Sequence, residues 1–129
     1  MRPPEASSAG QEGAFERPLP GIQTEVGLRF CADNRAIFLR MLVRFRDTKG
    51  ELCRELRQAL ADGDTRTAAR IAHTMKSTAM AIGAVALSET SKALEAALEE
   101  APADEAEALL EAFEARLEEV LAGLRDGLP

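Results

Sequence analysis

Six apolar residues, Phe38, Leu42, Phe45, Leu52, Leu56 and Leu60, follow one another at spacings of three, four or seven. That pattern repeats with the 3.6-residue turn of a helix and not with the two-residue alternation of a strand. The phase passes through Thr48-Lys49-Gly50 without slipping, which predicts one long helix from about 33 to 62. At 1.5 Å per residue it would be roughly 45 Å long. Asp33 or Asn34 is placed to cap its start, and Gly63-Asp64 to end it and cap the next.

Further stripes of the same kind follow. Ala68, Ala72, Met75, Ala79 and Ile82 line a second helix, which Gly83 can close in a left-handed conformation. Leu87, Leu94 and Leu98, with Ser91 in phase, predict a third helix over about 85–100. Pro102 suits the first turn of a fourth, with Asp104 and Glu105 near its positive end. Its stripe is Ala106, Leu110, Phe113, Leu117, Val120 and Leu124. Ahead of these, Gln23 to Cys31 reads as a short helix using Val26, Leu28 and Phe30. Short connections between four amphipathic helices favour antiparallel neighbours. The expected fold is all-α, an up-down-up-down four-helix bundle with a short extra N-terminal helix.

Residues 1–20 are rich in Pro, Gly, Ser and Glu and read as a flexible tail or linker, with the bundle over 21–127. In 129 residues there is room for one domain and a tail. The net charge of −6 argues against a nucleic-acid binder or an anionic-membrane binder, either of which needs a basic surface. No apolar run approaches the length of a membrane span, and the start lacks a signal pattern, so a cytoplasmic protein is expected. Cys31 and Cys53 are far apart among apolar positions and read as buried free thiols. With one histidine and no Glu-x-x-His pair, no metal site is expected.

That histidine, His73, lies about 100° round the second helix from Ala72, on its outer face. Arg66, Arg70, Lys76, Ser77 and Met80 share the face, and no acid occurs between Thr65 and Ser88. Cationic neighbours disfavour a second positive charge and so favour the neutral, nucleophilic imidazole. The same cations could meet the oxygens of a phosphoryl group in charge-assisted hydrogen bonds. The plain alternative is a surface histidine among ordinary basic residues.

The stretch AHTMKSTAMAIGA (72–84) resembles the phosphorylation motif of histidine-containing phosphotransfer (HPt) domains. That motif carries Lys three, Gly four and Gly ten residues after the histidine; His73, Lys76 and Gly83 match. LPGI at 19–22, the long helix, the Gly63-Asp64 turn and Leu94-Glu95 extend the resemblance over roughly 19–125. Ser77 stands where the family usually has Gly, and Met80 at a site often small, which bears on how closely a partner can approach.

The resemblance implies a phosphorelay intermediate. His73 would accept a phosphoryl group from a receiver-domain aspartyl phosphate and pass it to another response regulator. Lys76 would stabilise it, with Arg70 as a further candidate. The chain would not be an enzyme with its own turnover: it offers no glycine-rich nucleotide loop, and the Mg²⁺ would sit on the partner receiver. Expected partners are receiver domains of response regulators and of a hybrid histidine kinase, met by a monomer. Candidate docking contacts are Ser77, Met80, Arg66, Ile37, Arg40 and Met41. For Ile37 and Met41 the alternative is core packing, and for Arg40 and Arg66 a solvated charge. Rival readings are an HPt-like docking module without phosphotransfer, a dimerisation bundle, and an enzyme with His73 as general base. The last lacks a carboxylate near His73 in sequence.

Overall fold

The computed structural model describes residues 18–100 and 103–128. Residues 1–17 of the expected tail, and Pro102, lie outside them. The described residues form helices α1 Thr24–Phe30, α2 Arg35–Thr48, α3 Leu52–Ala61, α4 Thr65–Ala81, α5 Val85–Glu100 and α6 Ala103–Gly127, with no strand among them. In space α4 packs on α5, α5 on α6, α6 on α2, and α3 on α4, so the long elements close around one core. The short α1 lies across α4 and α2. No described helix is long and apolar enough to cross a membrane.

The expected stripes face inward. Phe38 and Leu42 of α2, Leu56 of α3, Ala72 and Met75 of α4, Leu94 of α5, and Phe113 and Leu117 of α6 are all buried. Burying each large side chain contributes on the order of 1.5–3 kcal/mol. Asn34 is the residue that caps α2: its Oδ1 accepts from the Ile37 N–H at 3.1 Å. Asp64 caps α4 by accepting from the Thr67 N–H at 3.1 Å and the Thr67 hydroxyl at 2.6 Å. At the far end of α4, Gly83 has φ +82°, and the Ala84 N–H donates to the Ala79 carbonyl at 2.8 Å. This is the left-handed helix stop expected of that glycine.

Three expectations need correction. The helix over 33–62 is two helices, α2 and α3, broken at residues 49–51. The Thr48 hydroxyl donates back to the Arg44 carbonyl at 2.7 Å, and the Leu52 N–H donates to the Lys49 carbonyl at 3.2 Å, a tighter turn than α. Phe45 and Leu56 still reach the same core, which is why the apolar phase hides the interruption. Second, Leu19, assigned to the tail by composition, is 3% exposed and belongs to the core, while Pro20 rests on Gly123 of α6. The fold therefore takes in residues before 21. Third, Phe30 does not join the apolar face of α1 but stands 61% exposed. Of the thiols, both free, Cys31 is buried and Cys53 only half-buried.

Candidate functional site

His73 stands outward because its neighbours in the helix cannot. Ala72 and Met75 are fixed in the core, at 0% and 2% exposure, and this rotates position 73 to the surface. The imidazole is 59% exposed. Arg66, Arg70 and Ser77 are exposed on the same helix, while Lys76 and Met80 are half-buried.

A carboxylate meets this face from the neighbouring helix. Leu94, buried at 0%, sets the rotation of α5 and leaves Glu95 directed to the α4 side. Small residues let the two helices approach: Ser88 is buried and its hydroxyl donates to the Lys76 carbonyl at 2.6 Å. Glu95 Oε2 lies 2.7 Å from His73 Nδ1, and Glu95 Oε1 lies 3.5 Å from Lys76 Nζ. An ionised carboxylate can only accept, so in the neutral ring the proton sits on Nδ1 and Nε2 is the nitrogen left with a lone pair. Nε2 has no hydrogen-bond partner among the described residues.

The acid-free surroundings expected from the span Thr65–Ser88 are therefore not what the ring experiences. Both Glu95 and Glu99 line an open groove of about 610 Å³ that also holds Arg66, Arg70 and His73. The objection that no carboxylate can orient the imidazole fails for the same reason. Sequence reading passed over Glu95 as a site residue because its partner is 22 positions away on another helix. The signal available was the Leu94-Glu95 pair, one of the features carrying the family resemblance.

On the other side of His73, Ser77 and Met80 share a groove of about 430 Å³ with Lys76, Lys92 and Phe30. The candidates on α2 are more scattered. Ile37 is 41% exposed, so it is not a core residue, and Arg40 is exposed. Met41 is half-buried, its sulfur accepts from the Cys31 thiol at 3.3 Å, and it lines a separate cavity with Arg44 and Phe45. None of the three lines either groove beside His73. At the head of α4, the hydrogen bonds from Thr67, side chain first and then backbone, hold the Asp64 carboxyl below the usual carboxylate range.

Chemically, the site offers one exposed imidazole with a fixed tautomer, a carboxylate behind it and an ammonium beside it. Neither the curated proteins nor the solved structures contain a significant match to the chain. A protein-family model does match: the Hpt domain, over residues 40–125, a span that holds α3, α4, α5, most of α2 and nearly all of α6. The chain belongs to the Hpt domain family, the helical phosphocarrier modules of two-component phosphorelays.

Proposed function

We propose that His73 is the phosphoacceptor of this module, taking a phosphoryl group from the aspartyl phosphate of a receiver domain and handing it to another response regulator. The observation that carries the reading is the 2.7 Å contact between His73 Nδ1 and Glu95 on an otherwise exposed ring. With the proton held on Nδ1, the lone pair of Nε2 attacks phosphorus in line. The P–N bond forms as the bond from phosphorus to the aspartyl oxygen breaks, and the electron pair leaves with the receiver's carboxylate. The ring, bonded to phosphorus at Nε2 and to hydrogen at Nδ1, carries positive charge, which the Glu95 carboxylate stabilises across the existing hydrogen bond. Passing the group on runs the same steps backwards onto a second aspartate.

Lys76, tethered to the other oxygen of Glu95, is near enough in sequence and space to turn toward the phosphoryl oxygens. Arg70 and Arg66, on the groove wall, supply the remaining cationic field. Phosphoryl transfer of this kind depends on alignment and charge stabilisation. The divalent metal and acidic pocket belong to the receiver in this reading, and the chain needs no nucleotide site of its own. Ser77 and Met80 form the surface the receiver touches nearest the ring. With the reading goes the up-down-up-down antiparallel order of the long elements, in a monomer acting in the cytoplasm.

The test is transfer of label from a phosphorylated receiver to the native chain and to His73→Gln. Acid-labile label on the native chain and none on the variant is the expected result. Equal labelling of the two would remove His73 from the reaction.

A further inference from the structure

Thr78 of α4 and Thr90 and Ser91 of α5 each donate to the carbonyl four residues earlier on their own helix, at 3.0, 2.8 and 2.7 Å. Serine and threonine commonly bond this way inside helices. Ser88 of α5 does not. It leaves the Ala84 carbonyl to its own N–H, at 2.9 Å, and its hydroxyl crosses to the Lys76 carbonyl of α4 at 2.6 Å. The residue is 4% exposed, so the crossing bond lies in the seam between the helices, where water does not compete for it.

That bond and the one at the site are rungs of one ladder. Lys76 follows His73 by three residues on α4, and Glu95 follows Ser88 by seven on α5, so each pair shares a helix face. Lys76 is held to α5 at both ends, its carbonyl by Ser88 and its ammonium, at 3.5 Å, by Glu95. The other rung is the 2.7 Å contact between Glu95 and His73 Nδ1.

The first rung matters because Glu95 stands far from the turn that joins the helices. The left-handed Gly83 and the bond from the Ala84 N–H to the Ala79 carbonyl, at 2.8 Å, fix only the start of α5. From Ala84 to Glu95 is about 16 Å along the axis, so a splay of about 4° at the turn carries the carboxylate about 1 Å away. A contact of 2.7 Å then passes out of hydrogen-bond range. Buried Leu87 and Leu94 hold α5 on the core, but apolar contact is not directional and permits such a shift. The Ser88 bond is directional and opposes it.

We propose that Ser88 is a positioning residue for the relay site. Its hydroxyl fixes where α5 stands on α4, and through that keeps Glu95 on the Nδ1 side of His73. The consequence for phosphotransfer rests on the relay reading; the consequence for the ring does not.

His73 is the only histidine of the chain, so ring-nitrogen NMR of the full protein reports its tautomer directly. Spectra are taken above the ring's titration for native, Ser88→Ala, Ser88→Cys and Ser91→Ala, with helix content followed by circular dichroism. Ser88→Ala is expected to lower the ratio of Nδ1–H to Nε2–H by about threefold or more, and transfer from a phosphorylated receiver by about the same factor. Ser88→Cys, which keeps a weaker donor, falls between. Ser91→Ala removes a hydroxyl that bonds within its own helix and leaves the ratio native. In a Glu95→Ala background, loss of the Ser88 hydroxyl changes neither ratio nor rate further, because it acts through that carboxylate. A native ratio in Ser88→Ala, or in Ser88→Cys should the alanine variant lose helix, overturns the proposal. So does an equal fall in Ser91→Ala. If the ratio responds to Ser88 but the native chain takes no label from the receiver, the relay reading falls and the positioning assignment stands.

Discussion

Glu95 is the residue whose replacement says most about how the site works. Its carboxylate is 19% exposed and meets the ring nitrogen at 2.7 Å, while the ring itself is 59% exposed. A hydrogen bond to a charged partner contributes about 1.5–3 kcal/mol, and solvent at the ring pulls the value toward the lower end. In the proposed transfer the full interaction develops only as the ring gains positive charge, so its loss falls on the transfer step more than on folding. About 1.5 kcal/mol corresponds to a rate roughly tenfold lower for Glu95→Ala. Glu95→Gln keeps an acceptor oxygen but not the charge, and is expected to fall between, at about threefold. The assay is rapid-quench transfer from a phosphorylated receiver, with this chain in excess so that docking does not limit the rate. Helix content and unfolding midpoint are followed in parallel. If both variants transfer within about twofold of native, the carboxylate does not share the ring's charge in the transition state and the reasoning fails.

Two further outcomes concern stability and reactivity. The Asp64 carboxyl is held below its usual range by its bonds to Thr67, so its contribution to stability is complete above the ordinary carboxylate range and fades as pH falls through the lowered value. Denaturant midpoints of native and Asp64→Asn should therefore converge as the solution is acidified; a constant gap would refute the linkage. The Cys53 thiol is pushed up to about 11, first by burial and then by Glu114 and Glu118, with Arg57 opposing. About one thiol in 10⁴ is then ionised at neutral pH. A disulfide reagent should label Cys53 slowly in the folded chain and promptly in denaturant, and equal rates would contradict the burial argument.

Much of the bundle could be read from side-chain spacing alone. The expected bounds of α4 and α5 hold to within a residue or two, because Asp64 and Gly83 mark the termini of α4 with local chemistry. The break after Thr48 escaped, since apolar spacing reports which way residues face and not whether the backbone bonds between them are intact. Gly50 marked the place where a break could fall, yet it has open space around it and no close packing that demands a glycine. Leu19 was misread because composition describes a neighbourhood, whereas burial of one leucine depends on where α6 lies. His73 and Lys76 are neighbours along one helix and were visible together. Their third member, Glu95, arrives through the packing of α5 on α4, a relation that no local pattern encodes.

The seat of α1 has a consequence for how the surface around Phe30 can change. A Cβ at Gly83 would strike the Gln23 carbonyl, and one at Gly27 the Phe38 ring and the Ile82 backbone, so the two helices meet main chain to main chain. The separation of Phe30 from His73 is thus set by the backbone seat that Gly27 and Gly83 permit. Substitution at the exposed Phe30 corner changes the surface there without disturbing its distance to the imidazole. One residue inserted between Gly21 and Phe30 would instead swing the corner by about 100° around the helix axis. The backbone seat thus works as a ruler whose gradations are already fixed, with little main-chain freedom left between the corner and the imidazole.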